Sequence, residues 1–154
     1  MARLEAGQPA PDFSLPADDG STVSLSDLAG TTVVLYFYPK DDTPGCTTQA
    51  CGLRDMSADY DAAGVRVIGV SPDPVASHVR FRDKHDLPFT LLSDADHAVA
   101  EAYGVWVEKS MYGKTYMGVE RSTFVIGPDG VLKDALYKVK PKGHAASVLE
   151  LATA

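Results

Sequence analysis

Cysteine is scarce in this chain: two residues, Cys46 and Cys51, in 154. A secreted disulfide scaffold of this size would carry more. In a reducing compartment, two thiols so close together point to redox chemistry or metal binding rather than a permanent staple. Long apolar runs are missing too. The longest, Thr32 to Tyr38, is strand-sized, far short of the roughly 20 residues that span a bilayer. The opening residues, Met1-Ala2-Arg3-Leu4-Glu5-Ala6-Gly7-Gln8-Pro9, contain no apolar export core, so a cytoplasmic location is expected. Positive charge is in deficit, 14 Lys and Arg against 21 Asp and Glu, for a net charge of −7. Nucleic acid and anionic membrane surfaces are therefore poor partners. Repeats, low-complexity tracts and long linkers are absent. With 45% hydrophobic residues, the expectation is one domain over residues 1–154, large enough to bury a stable core.

Metal-ligand spacing is equally lacking. The chain has no Cys-x-x-Cys and no His-x-x-x-His pair, and His78, His85, His97 and His144 are scattered. A zinc site needs three or four ligands. The histidines are read as surface or structural.

What is present is a run of periodic segments punctuated by ten prolines and thirteen glycines. Asp12–Leu15 and Thr22–Leu25 alternate around Asp18-Asp19-Gly20, which predicts a short N-terminal hairpin. Thr31–Tyr38 is almost continuously β-branched and aromatic, as for a central strand buried on both faces. Pro39 ends it. In Thr43-Pro44-Gly45, threonine can cap a helix whose first position is proline, with Cys46 near the third. Apolar residues continue at helical spacing through Leu53, Met56 and Tyr60 to a stop at Gly64.

Val65–Val70 predicts a second buried strand, and Pro74–Lys84 a helix. Leu87–Leu92 reads as a short extended piece. Asp94 can cap a small helix ending at Tyr103-Gly104. Trp106 to Glu120 shows no clear period and is expected to be a loop, functional or mobile. Arg121–Ile126 and Val131–Tyr137 flank Gly127-Pro128-Asp129-Gly130, a hairpin signal, and 143–151 predicts a final helix. A βαβ unit followed by ββα gives an α/β fold in which a central mixed sheet is flanked by helices. With the N-terminal hairpin added, this is a thioredoxin-like arrangement.

The chemistry concentrates at the strand-to-helix junction. A thiol in the first helical turn faces free backbone N–H groups and the positive end of the helix dipole, and both favour thiolate. The spacing to the second thiol adds a constraint. On an ideal helix, residues five apart have Cα atoms roughly 8.6 Å from each other. A disulfide needs about 4.4–6.8 Å. Cys46 and Cys51 can therefore pair only if the first turns of the helix unwind. The residues alone leave open a disulfide reductase, a redox-sensing binding module, or a protein whose thiols are inert.

The run Pro39-x-x-x-Thr43-x-x-Cys46 after an aromatic-rich strand, with the distant Glu120-Arg121-Ser122-Thr123-Phe124, resembles the peroxiredoxin active-site motif. The fuller Thr43-Pro44-Gly45-Cys46-Thr47-Thr48-Gln49-Ala50-Cys51 resembles the peroxiredoxin Q subgroup, also called bacterioferritin comigratory proteins. So do Gly104-Val105-Trp106 and Gly113-Lys114-Thr115-Tyr116. The resemblance covers essentially the whole chain. It implies a thiol-dependent peroxidase for hydrogen peroxide and small organic hydroperoxides, without metal, haem or flavin. Cys46 would attack the hydroperoxide and become a sulfenic acid. Cys51 would resolve it as an intramolecular disulfide, and thioredoxin or a similar dithiol would restore the pair. Thr43 would bond the peroxide, Arg121 would hold the thiolate and polarise the O–O bond, and Pro39 would shield the sulfur. Local resolution would need no partner subunit, consistent with a monomer or a weak homodimer.

Many relatives carry Glu where this chain has Gln49, a neutral amide. Trp106, Tyr112 and Tyr116 are expected either to pack plainly or to line an apolar rim. Lys40, Asp41 and Asp42 are read as solvated loop charges.

Overall fold

The computed structural model describes residues 3–154. Its centre is a five-stranded mixed sheet. In chain order the strands are β3 (Thr32–Phe37), β4 (Val65–Ser71), β5 (Thr90–Ser93), β8 (Ser122–Ile126) and β9 (Leu132–Leu136), laid side by side as β5-β4-β3-β8-β9. The β3–β4 and β4–β5 pairs are parallel; β3–β8 and β8–β9 are antiparallel. The expected N-terminal hairpin is present as β1 (Ser14–Pro16) and β2 (Thr22–Ser24). This is the expected α/β, thioredoxin-like arrangement.

Strand β3 is buried on both faces because its side chains alternate between two apolar layers. Val33, Leu35 and Phe37 enter one layer, with Phe124 and Ile126 of β8 and Ile68 and Val70 of β4. The hairpin residues Leu15 and Val23 cover that layer, together with Val99, Ala100 and Tyr103 from the segment of α4 (Ala98–Ala102). Val34, Tyr36 and Tyr38 enter the opposite layer. They meet Cys46, Ala50 and Leu53 of α1 (Pro44–Asp55), Tyr60 of α2 (Ser57–Ala62), Phe81 of α3 (Val75–His85) and Ala145, Val148 and Ala152 of α5 (His144–Thr153). The Asp94 carboxylate accepts from the backbone N–H groups of Val99 and Ala100 at 3.2 and 2.8 Å, so it caps α4 as expected.

Two expectations are corrected. The helix expected to run from Thr43 to Gly64 is interrupted at Met56, which leaves helical geometry at φ −104° and ψ 12°. The next residues, Ser57-Ala58-Asp59, have the composition of a helix start, and Asp59 and Tyr60 bond back to the Met56 carbonyl. The break lets α2 turn so that the Tyr60 hydroxyl reaches the Ala145 carbonyl at 2.7 Å.

The second correction is that Trp106–Glu120 is a regular hairpin, not a loop. Strands β6 (Trp106–Met111) and β7 (Lys114–Val119) pair antiparallel around Tyr112 and Gly113. Both turn residues have positive φ, 53° and 78°, the signature of a tight two-residue hairpin turn. Most of the hairpin is exposed, Tyr112 almost completely at 98%, so no apolar alternation marks it in the sequence. Tyr112 and Tyr116 therefore do not pack in the core. Trp106, partly buried, packs against the core, and its indole also stacks on the His97 ring at 3.9 Å between centroids.

Candidate active site

The sheet order decides which residues meet. β3 lies between β4 and β8, so its C-terminal end comes beside the end of β4 and the start of β8. Pairing of Phe37 with Ser122 puts Arg121 just past the edge, next to the chain that leaves β3. Tyr38 still donates its N–H to the Val70 carbonyl, after which the chain turns through Pro39 and residues 40–43 into α1.

Cys46 occupies the first turn of α1, and its side chain is 2% exposed. Arg121 Nη2 lies 3.4 Å from its Sγ, and Nη1 donates to Gln49 Oε1 at 2.6 Å. Gln49 follows Cys46 by three residues and so shares its helix face. One guanidinium thus bridges the sulfur and the amide. Gly45 makes room for this approach, since a Cβ there would lie 2.9 Å from Arg121 Nη2. The Cys46 sulfur thus has both the first turn of α1 and the Arg121 guanidinium beside it.

Thr43 stands at the N-cap, but its hydroxyl does not cap the helix. It donates instead to the Lys40 carbonyl at 2.8 Å. Pro39 is half-buried at the exit of β3. Cys51 lies inside the same helix, half-buried, and both thiols are free. Cys46, Arg121 and Thr43 therefore gather at one end of α1, with Pro39 on the chain entering it, while Cys51 sits in a later turn. Within intact α1 the helical spacing holds the two thiols apart.

The reading of residues 40–42 as solvated is corrected for Asp41, which is 7% exposed. Its carboxylate accepts from the Tyr38 hydroxyl at 2.6 Å and the Ser77 hydroxyl at 2.8 Å, and lies 2.7 Å from His78 Nδ1. His78 Nε2 donates to the Leu92 carbonyl at 2.9 Å. Asp42 is exposed and pairs with Lys84 and His85. The ligand atoms of Asp41, Asp73 and His78 lie within 4.8 Å of one another, close enough for a cation. They are already satisfied by hydrogen bonds, however. Sequence reasoning missed this cluster because its members are 32 and 37 positions apart.

His78 and His144 are both buried. His144 Nε2 lies 2.7 Å from Thr123 Oγ1. Burial, with a smaller push from the Arg121 charge, lowers the His144 pKa to about 4. Burial likewise raises the Tyr36 and Tyr38 phenols well above their usual range. Lys109 of β6 is held below the ordinary lysine range, first by burial and then by Arg121.

Residues 6–135 match the AhpC/TSA family. Peroxiredoxin Bcp of Bacillus subtilis is 52% identical, over 96% of this chain and 94% of its own. Peroxiredoxin Bcp of Escherichia coli is 50% identical, over 97% and 96%. The chain belongs to the peroxiredoxins. Among solved structures, Xanthomonas campestris peroxiredoxin Q superposes with a TM-score of 0.89 at 42% identity, covering 96% of each chain. A Xanthomonas campestris bacterioferritin comigratory protein, described for its alkyl peroxide reduction, gives the same values. This peroxiredoxin is accordingly a thiol-dependent peroxidase, an oxidoreductase of the antioxidant class with a thioredoxin fold. None of its helices among the described residues is long and apolar enough to cross a membrane.

Proposed function

We propose that residues 1–154 form one catalytic unit that reduces hydrogen peroxide and small organic hydroperoxides through Cys46 and Cys51. The observation that carries the reading is the Cys46 sulfur, buried in the first turn of α1 with the Arg121 guanidinium 3.4 Å away. Cys46 thiolate attacks the terminal oxygen of the hydroperoxide. A bond forms from sulfur to that oxygen, the O–O bond breaks, and the alkoxide or hydroxide takes a proton to leave as alcohol or water. Sulfur is oxidised to sulfenic acid and the peroxide is reduced. Arg121 stabilises the negative charge that builds on the separating oxygens. Thr43 contacts the peroxide, and Pro39 keeps water from the sulfur.

The second step needs movement. Cys51 thiolate attacks the sulfenic sulfur and the sulfenic oxygen leaves as water, giving an intramolecular disulfide. The spacing within α1 forbids this until the first turns unwind. A dithiol of the thioredoxin type then reduces the disulfide by exchange, which returns both thiols. A cytoplasmic setting supplies such a dithiol, and resolution within one chain suits a monomer.

Peroxide consumption coupled to thioredoxin, thioredoxin reductase and NADPH tests the whole cycle. Wild type turns over. Cys46→Ser abolishes turnover, and Cys51→Ser slows it or shifts it to other thiols. Reduction of insulin disulfides without peroxide turnover would replace this reading with a disulfide reductase.

A further inference from the structure

The peptide group joining Lys40 to Asp41 is used at both ends. Its carbonyl oxygen accepts the Thr43 hydroxyl at 2.8 Å, and its N–H donates to Asp73 Oδ2 at 2.8 Å. Asp73, which follows β4, is itself held in place. Ser71 Oγ donates to the same Oδ2 at 2.7 Å, the Asp73 N–H donates to Ser71 Oγ at 3.2 Å, and Ser93 Oγ donates to the Asp73 carbonyl at 2.7 Å. A carboxylate, a peptide and a hydroxyl therefore form one chain of hydrogen bonds that ends at the N-cap of the helix holding Cys46.

We propose that Asp73 is a positioning residue for peroxide reduction, acting through the Lys40–Asp41 peptide to fix the direction of the Thr43 hydroxyl. A negative charge on the N–H side polarises the amide and makes its carbonyl a stronger acceptor. The single Thr43 proton is then committed to Lys40, and only oxygen lone pairs remain for the site. Thr43 can accept the O–H of a protonated hydroperoxide there but cannot donate to it. The hydroperoxide must then present its terminal oxygen as a donor, the oxygen that sulfur attacks. Anchoring the loop does not require Asp73, because Asp41 is tied to Tyr38, Ser77 and His78, and Asp42 to Lys84 and His85. The contribution particular to Asp73 is charge at this one N–H.

The inference rests on Thr43 as the peroxide contact, and a double-mutant cycle separates the two claims. Loss of the free Cys46 thiol to hydrogen peroxide is timed by quenched alkylation and mass spectrometry. Wild type, Asp73→Asn, Thr43→Val and the double variant are compared. Alkylation by iodoacetamide, which makes no use of an O–H, is measured beside it. The expected result is a loss of about tenfold in the peroxide rate for Asp73→Asn, the scale of one charge-assisted hydrogen bond. Iodoacetamide rates stay within about twofold, and Asp73→Asn costs nothing further once Thr43 is valine. Multiplicative losses, or equal losses toward both reagents, would overturn the Asp73 role while leaving Thr43 its own. A Thr43→Val variant as fast as wild type would overturn the Thr43 contact and with it the inference. Ser71→Ala, which removes one support of the Asp73 carboxylate, serves in the same cycle if Asp73→Asn does not fold; about threefold is then expected.

Discussion

Arg121 reaches Cys46 while braced by Gln49: one guanidinium nitrogen lies 3.4 Å from the sulfur and the other donates to the Gln49 amide oxygen at 2.6 Å. The brace has an open end, because the buried Gln49 Nε2 has no partner among the described residues. Gln49→Leu keeps the volume and removes the acceptor. The peroxide rate constant should fall about tenfold, the worth of a hydrogen bond to a charged group. Gln49→Glu removes the orphaned donor and pairs two charges, so the melting temperature should rise by about 2–4 °C. It should also lower the peroxide rate, because part of the guanidinium charge is drawn from sulfur to carboxylate. Calorimetry and stopped-flow measurements on the same samples check both directions.

Two glycines near the site predict opposite outcomes. At Gly45 an added Cβ would crowd the end of the long Arg121 side chain, 2.9 Å from Nη2, and would touch Pro141 at an ordinary 3.7 Å. Gly45→Ala should leave stability unchanged or slightly raised, since alanine is the better helix former by about 1 kcal/mol. It should nevertheless lower the peroxide rate, because Arg121 Nη2 is pushed off the sulfur. At Gly69 a Cβ would meet the buried Tyr36 ring at 2.8 Å and Leu91 at 2.9 Å. Gly69→Ala should cost about 1–3 kcal/mol of overpacking, read by urea titration.

How much of this was legible in the sequence depends on which force set each feature. β3 and β4 could be read because burial on both faces requires a nearly continuous apolar sequence, which they have apart from the exposed Arg66 of β4. The N-terminal end of α1 could be read because Thr43-Pro44 fixes it locally, although the Thr43 hydroxyl turned out to serve Lys40 instead of the helix. The β6–β7 hairpin could not, because exposed strands carry no apolar period. Asp41 could not, because its burial is created by Tyr38, Ser77 and His78, and only the fold brings the last two to it. The break at Met56 was hidden because Leu53, Met56 and Tyr60 keep helical spacing across it.

His144 gives the site a pH signature in stability. Its pKa falls from 6.5 to about 4 on folding, first because it is buried and second because Arg121 is near. Between those values the unfolded chain binds a proton that the folded chain refuses, so acid favours unfolding. The neutral imidazole contributes its full stability above about pH 6.5 and loses it progressively toward pH 4, in total about 3 kcal/mol. His144→Gln has no such proton to bind. Unfolding free energies of the two proteins, measured by urea from pH 7 to pH 4.5, should therefore converge as the pH falls. A constant difference across that range would mean that His144 does not titrate in this window.

Oxidation should melt part of the molecule. Cys46 and Cys51 lie in one continuous helix, where ideal spacing keeps their Cα atoms roughly 8.6 Å apart. A disulfide between them is therefore incompatible with the first turns of α1. Those turns also hold Gln49 and Ala50 in the buried layer, so their loss releases the Arg121 brace and removes apolar contacts to α5. Hydrogen exchange on the disulfide form should show amide protection lost across residues 45–53, while β3 and β4 stay protected. The Cys51→Ser protein treated with peroxide, which cannot close the disulfide, should keep its protection. Oxidised wild type with protection unchanged across 45–53 would mean that the thiols do not pair within the chain, and resolution would then have to come from a thiol outside it.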